Sequence, residues 1–160
     1  GFVPEAWAEF ARNAVEPLVE HYRRQTDDPG QEVALAAARR WCDYEARVME
    51  PANASAAAGA GAAHEILARV RVQLHFLAHD FFLQPNELLD NLWRIGSKPL
   101  IIVQGRMDMV CPPVTAAAVA HRFEGAELRM VAGGGHSALQ AEIATELCAA
   151  TRRMRARIQP

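Results

Sequence analysis

The stretch PLIIVQGRMDMVCP, residues 99–112, determines the fold that we expect for this chain. It opens with a continuous aliphatic run, which is typical of a strand buried on both faces in a parallel sheet. A second strand is expected at 127–131, with helices at about 113–122 and 137–155. This order of strand, helix, strand and helix predicts a βαβ unit with parallel strands and a right-handed crossover.

The residues before this unit are expected to be helical. Apolar residues recur at three- and four-residue spacing over about 4–18, 31–50 and 64–79, which places them on one face of each helix. Pro17 is expected to split the first helix, because proline interrupts the helical hydrogen bonds. Residues 52–63 are mostly Ala and Gly, and they could be a linker or the start of the next helix.

The composition excludes several classes of protein. The 160 residues carry 17 Lys and Arg against 19 Asp and Glu, so no excess of basic charge is available for a nucleic-acid partner. Hydrophobic residues make up 51%, enough for a packed core. No apolar run approaches the ~18 residues of a membrane span, so no membrane partner is expected.

The cysteines argue against a disulfide framework or a zinc site. They are odd in number and share no Cys-x-x-Cys spacing: Cys42, Cys111 and Cys148. Unpaired cysteines fit a reducing compartment, so a cytoplasmic protein is expected.

Two side chains with catalytic chemistry follow the expected strands. Asp108 and His136 each lie about five positions past a strand, at the edge of a parallel sheet where functional groups collect. Neighbouring strands are roughly 5 Å apart, so the two side chains can meet. A lone aspartate is usually a turn former and a lone histidine usually packs or faces solvent. Together, in this order, they indicate the acid and base of an α/β-hydrolase triad.

These residues resemble the proline iminopeptidases, which are serine aminopeptidases of the α/β-hydrolase fold. Residues 99–112 are similar to the family's hydrophobic strand followed by His-Gly-Arg-Tyr-Asp and a short run ending Cys-Pro. Gln104 and Met107 stand where the family usually has His and Tyr. Residues 126–131 and 135–138 resemble its Ala-Glu-Leu strand and Gly-His-Ser-Ala loop.

The first half carries a weaker resemblance to the family's helical cap. The similar stretches are 35–45 (LAAARRWCDYE) and 68–82 (ARVRVQLHFLAHDFF). The resemblance implies a partial α/β-hydrolase, with a helical cap or lid over residues 1–93. A βαβα remnant of the parallel sheet would follow over residues 94–160.

The resemblance also implies roles for individual residues. Asp108 matches the triad acid, and His136 matches the general base. Cys111 matches a cysteine near the active site that makes some members sensitive to thiol reagents, although it could equally be a small buried hydrophobe. Glu45 matches a cap glutamate that helps hold the substrate's free amino group, although it could equally be an ordinary solvated helix residue. No metal or organic cofactor is implied.

The residue specificity of such an enzyme stays open. The family's second amine-binding glutamate aligns near Val72, with Arg71 beside it. An apolar side chain cannot bind an ammonium group, and an arginine repels one. N-terminal proline is therefore one expected substrate residue, with a broader aminopeptidase or an esterase-like substrate as the alternative.

The sequence contains no nucleophile elbow. The hydrolase serine sits in Gly-x-Ser-x-Gly, and none of the serines at 55, 97 and 137 has that setting. Ser137 comes nearest, but Leu139 replaces the final glycine, and no Asp and His follow in hydrolase order. Since the chain also begins with Gly1 rather than Met, we expect the carboxyl-terminal portion of a hydrolase that is inactive alone.

The expected activity is that of the whole enzyme. It is release of N-terminal proline or another residue from a peptide with a free amino terminus, by a Ser-His-Asp mechanism. The missing amino-terminal half would supply the serine, and a separate chain could do so instead. The alternative is a non-catalytic α/β module used for binding or dimerisation. A two-stranded sheet alone leaves its edges open, so self-association is also expected.

Overall fold

The computed structural model describes residues 3–49 and 61–158, which divide into two compact units between Gln84 and Pro85. The Ala- and Gly-rich segment expected at 52–63 lies outside the described residues up to residue 60. The division precedes the domain boundary expected at residue 93, and the assignment of a lid and a catalytic part stays a prediction.

The first unit is helical throughout its described secondary structure. Its elements are α1 (Pro4–Phe10), α2 (Leu18–Thr26), α3 (Gln31–Met49) and α4 (Ala63–Ala78), followed by a short 3-10 turn at Asp80–Phe82. The helix expected over 4–18 ends at Phe10, before Pro17, and Pro17 lies at the N-cap position of α2. Asn13, with a left-handed φ of 63°, lies in the break between the two helices. Before α3, the backbone N–H of Gly30 donates to Asp28 Oδ1 over 2.7 Å, which is typical of an Asp-Pro-Gly turn.

Aromatic rings fill the core of this unit. The ring of Phe10 stacks on Tyr22 and Tyr44, with centroids 4.6 and 4.1 Å apart, and it contacts Trp41 at 5.5 Å. Around these rings, α3 and α4 bury small and aliphatic residues at helical spacing: Ala37, Ala38, Cys42, Ile66, Val70 and Leu74. Alanines at the contact allow α2, α3 and α4 to approach one another closely.

Two side chains satisfy backbone groups that the ends of α1 and α2 leave without partners. The hydroxyl of Tyr22, only 1% exposed, donates to the carbonyl of Phe10 over 2.8 Å. Arg71 donates to the carbonyl of Thr26 from Nη2 at 2.6 Å and from Nε at 3.1 Å, and it also pairs with Asp27. The last carbonyls of a helix lack intrahelical donors, so Arg71 completes the end of α2.

The chain turns sharply after α4. The apolar pattern of α4 extends to Phe81, but the helix ends at Ala78 and Phe81 is 54% exposed. Asp80, Phe81 and Phe82 have left-handed φ angles of 49°, 55° and 58°. This turn folds Phe82 back onto the end of α4, where its ring stacks on His79 with centroids 5.1 Å apart.

The second unit contains the predicted strand, helix, strand and helix. A short α5 (Glu87–Asp90) and a 3-10 turn (Leu92–Ile95) precede β1 (Ile101–Gly105), α6 (Pro113–Arg122), β2 (Glu127–Val131) and α7 (Ala141–Ile158). The two strands are parallel, with Ile101 opposite Glu127 and Gly105 opposite Val131. A mixed α/β unit with a small parallel sheet fits a partial α/β-hydrolase.

Two details of this unit differ from expectation. β1 is half-buried along most of its length rather than buried on both faces, because the described sheet has only two strands and each keeps an open edge. β2 is half-buried throughout. The last helix begins at Ala141 and not near Ser137, since residues 137–140 form a turn in which the N–H of Gln140 donates to the carbonyl of Ser137.

Replacing Tyr22 with phenylalanine tests the aromatic core. Tyr22→Phe keeps the stacked ring but leaves the carbonyl of Phe10 without its buried donor, so we expect a loss of about 1–2 kcal/mol in the free energy of unfolding. Urea denaturation measures this loss. Tyr44→Phe is the matched control, since it removes the hydroxyl of a half-buried tyrosine stacked on the same ring. Equal losses for both variants would contradict the assigned role of the Tyr22 hydroxyl.

Candidate active site

The loops that follow β1 and β2 cross at the carboxyl end of the sheet. The N–H of Met107 donates to the carbonyl of Gly134 over 2.9 Å, which joins one loop to the other. At Gly105 the contact is closer still, because a Cβ there would lie 2.2 Å from the oxygen of Gly135 and 2.5 Å from that of Gly134. Only glycine fits at the end of β1 without moving the second loop.

Gln140 holds the second loop from the other side. Its Oε1 accepts the N–H of Gly135 over 2.6 Å, and its Nε2 donates to the carbonyl of Gly133 over 3.1 Å. A Cβ at Gly134 would lie 2.4 Å from the side chain of Ile143, so α7 packs directly against the loop backbone. The glycine run therefore allows a tightly packed loop, and His136 follows it.

His136 and Asp108, which the sequence predicts to meet, are in contact. Nδ1 of His136 lies 3.1 Å from each carboxylate oxygen of Asp108. Oδ1 of Asp108 also accepts the backbone N–H groups of Val110 and Cys111, at 3.0 and 2.8 Å. Oδ2 accepts the amide Nε2 of Gln104 at 3.3 Å. The buried carboxylate is thus surrounded by donors, while the His136 side chain is 30% exposed.

The surroundings of Asp108 favour its ionised form. Burial by itself raises the pKa of Asp108, but the hydrogen bonds from Cys111, His136 and Val110 outweigh it, so the pKa lies below its ordinary value. An ionised carboxylate only accepts hydrogen bonds, so Nδ1 of His136 must carry the proton. In the neutral ring Nε2 then has a free lone pair and can act as a base.

Cys111 is exposed rather than a small buried hydrophobe. Its backbone N–H binds Asp108, as described above. Partial desolvation of its thiol, and then the negative charge of Asp108, raise the pKa of Cys111 above its ordinary value. The thiol is therefore protonated at neutral pH, which lowers its reactivity as a nucleophile.

Glu45 belongs to the first unit, where it is tied to its neighbours. It is half-buried on α3 and accepts a hydrogen bond from Nε2 of Gln73 on α4. Oε1 of Gln73 in turn accepts the indole N–H of Trp41 over 3.2 Å. Val72, at the position of the family's second glutamate, is 58% exposed. Glu45 is therefore more than a solvated helix residue.

Sequence reasoning missed two side chains that build this site. In the sequence Gln104 stands out only as a departure from the family motif, yet it binds Asp108 and also donates to the carbonyl of Cys111 over 3.0 Å. A single amide at the end of the aliphatic run 99–103 was the available signal. Gln140 has no such signal, because its role depends on the path of the glycine loop.

The described ranges, 3–49 and 61–158, contain no group of three or more His, Cys, Asp or Glu side chains placed to hold a metal ion. No helix within these ranges combines the length and apolar character needed to cross a membrane.

The pH dependence of stability tests the environment of Asp108. Because the folded pKa of Asp108 is lowered, its charge stabilises the fold at pH values above the ordinary aspartate pKa, about 3.9. That contribution is lost as pH falls through the folded pKa. Wild type should therefore exceed Asp108→Asn in stability at pH 7, and the difference should shrink below about pH 4.

Urea denaturation between pH 7 and pH 3, followed by the amide signals of β1 and β2, measures this difference. Asp90→Asn is the matched control, because Asp90 lies in the same unit as an exposed partner of Arg122. A stability difference between wild type and Asp108→Asn that stays constant down to pH 3 would contradict a lowered pKa of Asp108 in the folded state.

Gly105→Ala tests the loop crossing. The added Cβ would overlap the carbonyl oxygens of Gly134 and Gly135, so we expect a loss of about 2 kcal/mol or more and a displaced His136 loop. Thermal unfolding and the hydrogen-bonded Nδ1 proton of His136 report on the two effects. Gly133→Ala is the control, since its Cβ would meet nothing within 4 Å. If Gly105→Ala and Gly133→Ala unfolded at the same temperature, the loop crossing would not be what restricts position 105 to glycine.

Comparison with known proteins identifies the family. Residues 83–152 match the α/β-hydrolase family model described as TAP-like protein. The chain is 33% identical to the proline iminopeptidase of Arabidopsis thaliana, over 96% of the chain and 42% of that protein. It is 35% identical to that of Neisseria meningitidis serogroup B, over 82% of the chain and 43% of that protein. For the protein of Xanthomonas citri the identity is 31%, over 92% and 49%.

These matches share one feature. The chain spans less than half the length of the curated relatives, from 42% to 49% of the three compared above. Its similarity lies in their carboxyl-terminal portion. The chain belongs to the proline iminopeptidase family of α/β-hydrolases and corresponds to the carboxyl-terminal portion of its members.

Proposed function

We propose that this chain supplies the acid and the base of a Ser-His-Asp aminopeptidase. The observation that carries the proposal is the contact of Nδ1 of His136 with both oxygens of Asp108, at 3.1 Å each. Such a contact fixes the tautomer of an imidazole and stabilises its protonated form. The family of the chain supports the same class of reaction.

The proposed mechanism assigns one step to each group. Nε2 of His136 takes the proton of the serine hydroxyl as the serine attacks the scissile carbonyl. Asp108 remains ionised and stabilises the imidazolium that forms. His136 then donates the proton to the leaving amine, and water completes the cycle through the same base. No metal or organic cofactor is needed for these steps.

The nucleophile has to come from outside these 160 residues. The sequence has serines at 55, 97 and 137 only, and none lies in Gly-x-Ser-x-Gly. We infer that the nucleophilic serine lies in the amino-terminal part of the whole enzyme, to which this chain does not align. The 160-residue chain alone should therefore show no hydrolysis that depends on His136.

The proposed substrate is a peptide with a free amino terminus. The relatives are named proline iminopeptidases, and Glu45 offers a carboxylate that can bind a terminal ammonium group. Val72 offers no second negative charge to the ammonium group. Substrates with N-terminal proline are therefore tested first, and substrates with other N-terminal residues are tested after them. In this proposal the first unit is the lid, and Cys111 lies beside the triad acid without acting as nucleophile.

The proposed compartment is the cytoplasm. The three cysteines are free: Cys42 is buried, and Cys111 and Cys148 are exposed. Exposed thiols persist most readily in a reducing compartment. This supports the localisation, and the catalytic proposal does not depend on it.

Hydrolysis of proline β-naphthylamide tests the proposed function. The protein to use is the longest polypeptide that the gene encodes in frame with these residues. His136→Ala should lower kcat by about 10⁴-fold or more, because the triad base is removed. Asp108→Asn should lower it by a similar factor, and the exposed variant Asp90→Asn should leave it unchanged.

Other outcomes would exclude the proposal. Hydrolysis by wild type that survives His136→Ala would remove His136 from the mechanism. Hydrolysis by the 160-residue chain alone, equal to that of the longer polypeptide, would overturn the external nucleophile. An inactive but folded longer polypeptide would favour the non-catalytic module considered above. A panel of aminoacyl naphthylamides then separates proline specificity from a broader preference.

A further inference from the structure

The carboxyl end of α4 carries two histidines on one face. His75 lies in the last turn of the helix, and His79 follows its end at Ala78, four residues after His75. The ring centroids of the two histidines are 4.5 Å apart, and both residues are exposed. Residues four apart on a helix lie one above the other, and two histidines with this spacing can bind one zinc ion.

A hydrogen bond fixes which nitrogen of one ring carries the proton. Nδ1 of His79 lies 2.7 Å from the backbone carbonyl oxygen of His75. A carbonyl oxygen only accepts hydrogen bonds, so Nδ1 is the donor. In the neutral ring the free lone pair is then on Nε2, where a metal ion can bind. Histidines that ligate metals usually donate their other N–H group to a carbonyl or carboxylate, and His79 already does so.

Aromatic rings pack against both imidazoles. Phe82 stacks on His79 with centroids 5.1 Å apart and an angle of 15° between the planes, and it lies 5.6 Å from His75. Phe76 meets His75 edge-on, with centroids 6.0 Å apart. The lone pair of an imidazole nitrogen lies in the plane of the ring, so a ring stacked on the face leaves the nitrogen accessible at the edge. Phe82 therefore orients the ring of His79 without blocking a ligand to Nε2.

The spacing and the charge of this region suit a small divalent cation. Two metal–nitrogen bonds of about 2.0–2.1 Å place the nitrogens about 3 Å apart, which rings with centroids 4.5 Å apart can reach by small rotations. The carboxyl end of a helix carries a partial negative charge, which favours a cation. Arg71, one turn before His75, donates to the carbonyl of Thr26. It also lies 3.4 Å from Asp27, which partly neutralises its charge.

We propose that His75 and His79 form a binding site for a divalent transition-metal ion of the class of Zn²⁺, Ni²⁺ and Cu²⁺. Imidazole nitrogens suit these metals, whereas Mg²⁺ and Ca²⁺ prefer oxygen ligands. The protein supplies two ligands, and water completes the coordination. Such a site holds an exchangeable ion, unlike the closed four-ligand sites of structural zinc.

The metal site is independent of the proposed hydrolysis. Both histidines belong to the first unit, and neither is part of the pair formed by Asp108 and His136. The bound ion would join the last turn of α4 to the residue that follows it. Its test is therefore metal binding, and hydrolysis is not the readout.

Titration calorimetry with Ni²⁺ and with Zn²⁺ at pH 7.5 tests the site. The protein is the longest polypeptide encoded in frame with these residues, without a polyhistidine tag and freed of metal by a chelator. Affinity should fall about tenfold or more in His75→Asn and in His79→Asn, because each change leaves a single ligand and removes the advantage of two linked ones. Mg²⁺ should not compete for the site.

His64→Asn is the matched control for these variants. His64 is exposed on the same helix, and alanine stands four residues after it, so it has no second histidine at chelating distance along α4. This variant should bind Ni²⁺ and Zn²⁺ as wild type does. Each variant should also unfold at nearly the wild-type temperature in the absence of metal, since all three histidines are exposed.

Nitrogen NMR of the imidazole rings gives a second measurement that needs no variant. Addition of Zn²⁺ should shift the Nε2 signal of His79, while Nδ1 of the same ring keeps its proton. The ring signals of His75 should shift over the same range of Zn²⁺ concentration. The signals of His64 should stay unchanged over that range.

Three results would overturn the proposal. The first is no binding of Ni²⁺ or Zn²⁺ to wild type at about 1 mM of the ion, which corresponds to a site too weak to be a chelate. The second is equal affinity of wild type and His79→Asn, which would make the bound ion adventitious. The third is a Zn²⁺-dependent shift of one ring without the other, which would indicate a single histidine rather than a pair.

Discussion

The crossing of two loop backbones at Gly105 is the constraint on which the second unit depends. Oxygens of Gly134 and Gly135 occupy the space that a side chain at Gly105 would need. This crossing brings Asp108, in the loop after β1, and His136, in the loop after β2, to the same edge of the sheet. Because of the parallel register, β1 and β2 end side by side, at Gly105 and Val131. The missing Cβ of Gly105 lets the backbones of the two loops lie in contact.

Asp108 joins the loop structure to the chemistry of the site. The same carboxylate oxygen that accepts the N–H groups of Val110 and Cys111 also contacts Nδ1 of His136. The turn after β1 therefore folds around the group that orients the imidazole. Because one charge serves both purposes, the geometry of the base cannot relax independently of the loop that carries its acid.

The sequence predicts the elements of the second unit and the meeting of Asp108 with His136, because an aliphatic run, helical spacing and strand-end placement are local patterns. It does not predict Gln104 and Gln140 as loop supports, since their partners are backbone groups brought near by the loop crossing. The half-burial of β1 and β2 and the exposure of Phe81 also depend on neighbours. Burial on both faces requires a wider sheet. The helix α4 ends at Ala78 because the next residues, 80–82, take a left-handed turn.

Trp41, Gln73 and Glu45 form a chain of hydrogen bonds in the first unit, and the direction from donor to acceptor along this chain is fixed. The indole can only donate and an ionised carboxylate can only accept, so the amide between them must present its oxygen to Trp41 and its nitrogen to Glu45. No ionised acid or base could take that middle place, since neither donates and accepts together. The orientation of the Glu45 carboxylate is thus transmitted from a buried ring on its own helix through a side chain on the next helix.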